Sequence, residues 1–259
     1  MSLPGDQPLQ KLQFYVTTGY SCGYLPNKMA QSLIASPQHL VDTEVYNSLI
    51  HMGFRRSGKF VYRPHCENCQ ECVPVRIVID KFTPNRSQKR AFKQHQTLTT
   101  KIVPAGFYEE HYALYAAYQL SRHSDPSKMD SADQHSEESQ VEQYQNFLCQ
   151  SNVESVLVEF REGLDLKMVS VIDIMHDGIS AVYTFYDVSD LSAETNNSIS
   201  KRPSFGTFNI MWQLEWAKSM GLPYLYLGYW IKDSPKMAYK QNFRPLEKLI
   251  NNRWINSET

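Results

Sequence analysis

No run in the 259 residues approaches the roughly 18 consecutive apolar side chains of a membrane-spanning helix, so a helical integral membrane protein is excluded. The opening segment MSLPGDQPLQ has neither a basic stretch nor an apolar one, which argues against a secretory leader and sets a cytoplasmic protein as the expectation. Cysteine is scarce: five residues, an odd number, fit a reducing compartment better than a disulfide framework. Any cysteine function is then metal or thiol chemistry. There is no internal repeat and no low-complexity tract. With 42% hydrophobic and 20% charged residues, the chain is neither disordered nor fibrous, and its length suits one or two domains. Net charge is also lacking, at −1, so the global balance favours no polyanionic partner.

The charges that are present are unevenly placed. Residues 54–103 hold 11 basic and 3 acidic side chains, whereas residues 104–200 hold 4 and 17. Screening confines each field to about 8–10 Å, so the basic block can present a phosphate-attracting surface on a nearly neutral protein. An ordinary solvated face is the alternative reading of the same block.

The hydrophobic pattern divides the chain near 97/98. In the first part, Asp42 or Thr43 caps a helix that runs to Met52 and stops at Gly53. Strands are expected at Lys59–Arg63 and Val73–Ile79, and NRSQKRAFKQHQ reads as a short exposed basic helix. In the second part the expected order is strand 98–103, helix 107–121, a polar link 122–135, helix 136–149, and strands 154–161, 166–175 and 178–187. A long loop, 188–204, then leads to helix 205–220, whose Ile210, Leu214 and Ala217 recur at helical spacing. Strand 223–231, helix 235–243 opened by Ser234 and Pro235, and a last strand 247–255 complete it. The class is mixed α/β (α+β), and the order β-α-α-β-β-β-α-β-α-β resembles the GNAT acyltransferase fold, preceded by a smaller cysteine-containing α+β region at 1–97. A plain acyl-CoA enzyme of that fold would carry a Gln/Arg-x-x-Gly-x-Gly/Ala loop to cradle pyrophosphate. Here the segment is KRPSFGTF, with Arg202 and Gly206 one residue too far apart and Thr207 followed by Phe208. The resemblance therefore implies a different acyl donor.

HCENCQEC places Cys66, Cys69 and Cys72 at three-residue steps, with Cys22 in SCGYLP as a candidate fourth thiolate. Soft ligands at this spacing suit zinc or an iron–sulfur cluster, but the second C-x2-C of a zinc ribbon is missing. A redox-sensitive cluster and a purely structural turn are the other readings, and Cys149 reads as core.

Around this cluster, GFRRSGKFVYRPHCENCQECVPVRI, FTPNRSQKR and TTGYSCGYLPNKMAQSLIASP resemble the bacterial aminoacyl-tRNA–protein transferases, in their aspartate/glutamate leucyltransferase branch. FYD at Phe185 to Asp187, SFGTF, and YLGYWIKDSPKMAYKQNFRPLE extend the likeness over nearly the whole chain. Phe205, where the family more often has Leu, and the lengthened loop SDLSAETNNSISKRP depart from it. The resemblance implies transfer of leucine from Leu-tRNA to the α-amine of proteins that begin with Asp or Glu, marking them for regulated proteolysis. Such aminolysis of an ester requires no cofactor for the chemistry and no nucleophilic side chain, because orienting two substrates can supply about 7–11 kcal/mol of barrier lowering. No Ser-His-Asp or Cys-His pairing stands out.

Candidate roles follow from that chemistry. An acidic N-terminal side chain needs a bidentate cation, and Arg63 and Arg76, in or beside expected strands, are candidates for it, with ordinary surface or ion-paired arginines as the alternative. Asp187 would orient the leucyl ammonium, or simply cap the following loop. Tyr186 and Tyr229 would donate to the developing oxyanion or relay a proton, unless they are core tyrosines. Gly228 in YLYLGYW marks a bulge or a close approach of backbone to ligand. Lys236, Tyr239 and Lys240 share one helical face at i, i+3 and i+4 and would meet tRNA phosphates, as would Arg86, Lys89, Arg90 and Lys93. The competing readings are an arginine donor, an acyl-CoA-dependent acetyltransferase, and a non-catalytic nucleic-acid-binding module.

Overall fold

The structure, a computed structural model, describes residues 9, 11–123, 137–189 and 204–256. Most of the expected link 122–135 and of the loop 188–204 lies outside the described residues. No helix among the described residues is long and apolar enough to cross a membrane.

Strands β1 (Gln13–Val16), β2 (Tyr20–Ser21), β3 (Met29–Ala30) and β4 (Ser32–Ser36) open the chain. Helix α1 (Thr43–His51) follows, capped by Asp42, whose carboxylate accepts from the Val45 N–H at 2.9 Å. It buries Val45, Tyr46, Leu49 and Ile50, and Gly53 ends it with φ +86°, a conformation that costs a glycine little. Strands β5 (Arg55–Ser57), β6 (Phe60–Pro64) and β7 (Val73–Val78) come next. Helix α2 (Arg86–His95) starts in a reciprocal capping box between Asn85 and Gln88. It buries Gln88, Ala91 and His95, which leaves Arg86, Lys89, Arg90 and Lys93 exposed, as expected of a basic helix.

From there the order is β8 (Thr99–Pro104), α3 (Glu109–His123), α4 (Glu137–Tyr144), β9 (Ser155–Glu162), β10 (Asp165–Ile174), β11 (Gly178–Tyr186), α5 (Phe205–Ser219), β12 (Tyr224–Trp230), α6 (Pro235–Ala238), β13 (Leu246–Ile250) and β14 (Arg253–Asn256). This is the succession implied by the GNAT resemblance, with three differences. The expected last strand 247–255 is a hairpin, because Asn251 and Asn252 take φ of +50° and +59° and turn the chain back, a conformation Asn tolerates better than most residues. The expected helix 235–243 is four α-helical residues and then a tighter 3-10 turn, Tyr239–Asn242. The end of the expected helix 136–149 widens into a π turn, Gln145–Cys149.

Two sheets carry the fold. A four-stranded antiparallel sheet has the order β1-β4-β6-β5, and an eight-stranded sheet has the order β14-β13-β7-β12-β11-β10-β9-β8. Strand β7 lies inside the large sheet, which thus takes strands from both sides of 97/98. Alternation along β12 sends Leu225 and Leu227 toward Phe208, Met211 and Leu214 of α5 on one face. Tyr226 goes to the other face, where α1 and the small sheet pack with Tyr46, Leu49, Phe54 and Val61.

In the large sheet β11 and β12 are parallel, and they stay paired over only three positions, from Gly178↔Tyr224 to Ser180↔Tyr226. Beyond these the two strands part. Each carries an irregularity at the fork: the β10–β11 register slips beside Val182, and the β7–β12 register slips at Leu227. Backbone groups past the fork therefore find no strand partner across it.

Candidate active site

Where the small sheet meets the end of β12, a cleft of about 710 Å³ opens. Its walls are the β2–β3 hairpin, β6, the cysteine segment 66–74 and the tip of the β13–β14 hairpin, and Tyr62 and Tyr229 are among its lining. Arg63 and Lys28 put positive charge on it. The Arg63 guanidinium lies 5.1 Å from the Phe54 ring centroid and donates through Nη1 to the Met52 carbonyl at 3.1 Å, leaving most of its donors free for a ligand.

Four of the five cysteines, Cys22, Cys66, Cys69 and Cys72, line this cleft. Burial pushes the Cys72 thiol up to about 12, and the neighbouring Cys22, Cys66 and Cys69 push it the same way, so the four sulfurs are close enough to feel one another. Lys28 Nζ lies 4.0 Å from Cys69 Sγ. Among the described residues, no group of three or more His, Cys, Asp or Glu side chains is arranged to hold a metal ion. Cys22, Cys69 and Cys72 pack against Leu25, Tyr229 and Ile231. Cys149 packs among the residues of the α3–α4 core, as expected.

Tyr229 is buried, and its hydroxyl donates to the Gly53 carbonyl at 2.9 Å. That bond ties β12 to the end of α1, and burial holds the phenol well above its ordinary pKa. Lys240 is also buried, which corrects the expectation of an exposed phosphate-facing lysine. The helix ends at Ala238 and tightens into the 3-10 turn, so the i, i+3, i+4 face of Lys236, Tyr239 and Lys240 does not persist. Lys236 and Tyr239 stay exposed, while Lys240 Nζ turns in to donate to the Tyr229 carbonyl at 2.6 Å. Burial and the nearby Arg55 charge lower its pKa to about 7.

The remaining expected residues lie elsewhere. Arg76 is buried and already neutralised: Nε donates to Glu247 Oε2 at 2.8 Å, and the guanidinium lies between Tyr224 and Trp254, 3.6 Å and 4.4 Å from their centroids. Its place inside a strand suggests a binding position, but a cross-strand partner, Glu247, occupies it. Asp187 accepts from Lys167 Nζ at 3.0 Å and from the Ser189 N–H at 3.0 Å, which is the loop-capping geometry, and these partners keep its carboxyl below the usual range. Tyr186 stacks edge-on to Tyr118 at 5.0 Å and tilts on Phe205 at 5.4 Å. Neither Asp187, Tyr186 nor Arg76 lines the cleft.

One buried residue beside the cleft, though not in its lining, is not singled out by the sequence. Arg55 of β5 reaches into the fork, where Nη2 donates to the Ala181 carbonyl at 2.8 Å. Gly228 lies opposite with φ +82°, and a Cβ there would sit 3.4 Å from Arg55 Nε and Nη2. The glycine expected to mark a close approach does so, toward a guanidinium of the chain itself.

These observations meet two family descriptions that divide the chain between them. The family model described as "Arginine-tRNA-protein transferase, N terminus" matches residues 20–90, and its C-terminal counterpart matches residues 110–250. The chain belongs to the arginine-tRNA–protein transferase family and is an aminoacyltransferase. Its relatives specify the branch. It is 58% identical over 98% of its length, and 95% of theirs, to the aspartate/glutamate leucyltransferase of Methylobacillus flagellatus. It is 50% identical to that of Nitrosospira multiformis (98% of this chain, 94% of the relative) and 49% to that of Polynucleobacter asymbioticus (96% of each).

Proposed function

We propose that this chain transfers leucine from Leu-tRNA to the α-amine of proteins whose N-terminal residue is Asp or Glu. The observation that carries the reading is near full-length identity to relatives named as aspartate/glutamate leucyltransferases. The acceptor nitrogen attacks the aminoacyl ester carbonyl and a tetrahedral oxyanion forms. The C–N bond replaces the C–O bond to the ribose of the terminal adenosine, and the proton lost by nitrogen ends on that ribose oxygen. An α-amino group has a pKa of about 7.7–8.0, so a tenth to a fifth is already neutral at pH 7 and a strong base is dispensable. No step is assigned to a metal or other cofactor.

The cleft suits the acceptor: Arg63 and Lys28 give it positive charge, which draws an acidic chain end. The fork suits the donor ester, because past Ser180 and Tyr226 its two strands no longer bond to each other, and of the main-chain groups this leaves, the Ala181 carbonyl is taken by Arg55. Tyr229 joins the two places, with its ring on the cleft and its backbone next to Gly228. The exposed cations of α2, with Lys236, face the tRNA phosphates. The new N-terminal leucine marks the acceptor for regulated proteolysis, and the enzyme works in the cytoplasm, where its charged tRNA is found.

The test uses purified protein with Leu-, Arg- and Phe-tRNA in parallel and peptides that begin with Asp, Glu, Arg or Ala. Leucine moved only to the acidic peptides is the expected result. Arginine moved instead would place the chain in the arginyl branch, and no transfer from any tRNA would sink the reading.

A further inference from the structure

Strand β5 carries two adjacent arginines that the fold treats in opposite ways. Arg56 has a carboxylate of its own: Nε donates to Asp173 Oδ2 at 2.7 Å, Nη2 donates to the other carboxylate oxygen, and Ser155 Oγ and the Gly58 carbonyl take further donors. Arg55 is almost equally buried, at 9% exposure against 5%, and has none. Among the described residues its guanidinium makes one hydrogen bond, to Ala181 O, and no carboxylate lies within ion-pairing distance.

An arginine cannot shed its proton to escape this position, and a buried unpaired charge is among the costliest features a fold can hold. The nearest acid the surroundings offer, Asp173, also acts on the Tyr46 phenol but is held by Arg56. The Arg55 charge acts on the buried Lys240 and on the phenols of Tyr46, Tyr62 and Tyr229. The Tyr46 side chain is fully buried, with its hydroxyl near that of Ser180. Lys240 spends its ammonium on the Tyr229 carbonyl.

The position is also next to the cleft. Arg55 is the cross-strand partner of Tyr62, so the two side chains stand on the same face of the small sheet, and Tyr62 lines the cleft. On the other side, Gly228 adjoins Tyr229, the cleft residue of β12. We propose that Arg55 is the specificity-determining residue of the acceptor site, taking the side-chain carboxylate of the incoming N-terminal Asp or Glu as the anionic partner that the chain does not provide. This deepens the function proposed above and rests on it. Arg63 then supplies charge at the wall, while Arg55 makes the discriminating contact at the inner end of the cleft, beside Tyr62. An amide in place of the carboxylate leaves the guanidinium unneutralised, so Asn and Gln are refused.

Two arms test it with the full-length chain. The first needs no turnover: Asp-Ala and Asn-Ala dipeptides are added and the melting temperature followed. Asp-Ala is expected to raise it in the wild type, Asn-Ala to have little effect, and Arg55→Lys to lose the difference because a point charge does not reproduce the planar fork. Equal shifts from both dipeptides in the wild type overturn the proposal. The second arm measures leucine transfer to peptides beginning with Asp, Asn, Glu and Gln. For Arg55→Gln, kcat/KM on the acidic peptides is expected to fall on the order of a hundredfold, largely through KM, and the preference for Asp over Asn to collapse. If that variant does not fold, Arg55→Lys carries this arm too. A folded variant that keeps the wild-type preference overturns the proposal. So does one that loses kcat equally on all four peptides, which assigns Arg55 to the oxyanion instead. Dipeptide discrimination without leucine transfer by the wild type leaves the carboxylate site standing and removes the transferase reading.

Discussion

Arg56 of the small sheet and Asp173 of the large one form a buried two-pronged ion pair, with side chains 1% and 0% exposed. The small sheet is held on the large one by apolar packing, and this pair adds a directional fastening 117 residues apart in sequence. Breaking a buried pair on one side strands the other charge, which costs about 3–5 kcal/mol. Asp173→Ala is therefore expected to lower stability by that amount in urea unfolding. Replacing Arg56 with Met as well should recover part of the loss, since no buried charge then remains.

Gly58 and Gly163 both have positive φ, at +58° and +61°, but only one is hemmed in. A Cβ at Gly58 would sit 1.8 Å from the Asn146 carbonyl oxygen, which is backbone and held in the π turn, whereas Gly163 has nothing within 4 Å. The conformational cost to alanine is about 1–2 kcal/mol at either site. Gly58→Ala adds a steric cost of about 1–3 kcal/mol. Thermal melts of the two variants are expected to differ clearly, with Gly58→Ala the lower, and equal melts would mean that the π turn yields.

His111 is buried against Glu159, with Nε2 2.9 Å from Oε1, while its Nδ1 is buried without a partner. A neutral ring that donates from Nε2 suits this setting, and burial lowers the imidazole pKa despite the carboxylates of Glu159 and Glu110, with Arg161 also opposing protonation. Between the lowered folded value and the unfolded value of about 6.5, the unfolded chain binds the extra proton. The contribution to stability is thus complete above pH 6.5 and is lost as pH falls below it. Glu159, whose folded pKa is lowered through Arg161 and His111 against its burial, adds a second loss only at more acid pH, as its own carboxylate is protonated. His111→Gln is expected to flatten the first of these declines in a series of urea midpoints, by at most about 1.4 kcal/mol per pH unit.

Much of this fold is readable where local rules act alone. Asp42, Asn85 and Gly53 cap and stop their helices, and the apolar runs of β9 to β12 leave little choice of structure. The site is less readable because its residues are defined by partners distant in sequence. Arg76 and Arg55 are both strand arginines in a basic block, and nothing local distinguishes the one that meets Glu247 from the one that meets no acid. Lys240 follows a helical face that ends two residues earlier. Gly228 is the exception, because a glycine within a β-rich run is itself a statement about close approach. The doublet Arg55–Arg56 offers one signal: on a strand, neighbours face opposite sides, so two buried arginines require two separate anions.

The cations of α2 make no ion pair among the described residues and stand free on the face opposite Gln88, Ala91 and His95. Replacing Arg86, Lys89, Arg90 and Lys93 with Gln is expected to weaken Leu-tRNA binding and to flatten its salt dependence, by about 0.7–0.9 in the log–log slope for each phosphate that is no longer neutralised. The KM for an Asp-starting peptide should not move. An unchanged salt slope would assign the tRNA surface to another face.

Arg63 and Arg76 share one expected role, and their surroundings separate them. Arg63 is half-buried on the cleft wall and engages one carbonyl, so Arg63→Gln is expected to raise the acceptor KM about fivefold with little change in melting temperature. Arg76 neutralises Glu247 and lies against two aromatic rings away from the cleft. Arg76→Gln leaves the partly buried Glu247 without its cation, so a loss of about 3 kcal/mol is expected in unfolding, with the KM of the surviving folded enzyme unchanged. Peptide titrations and melts of the two variants decide between a shared role and this division. A raised KM in a stable Arg76→Gln protein would mean that Glu247 gives up its partner when the acceptor binds.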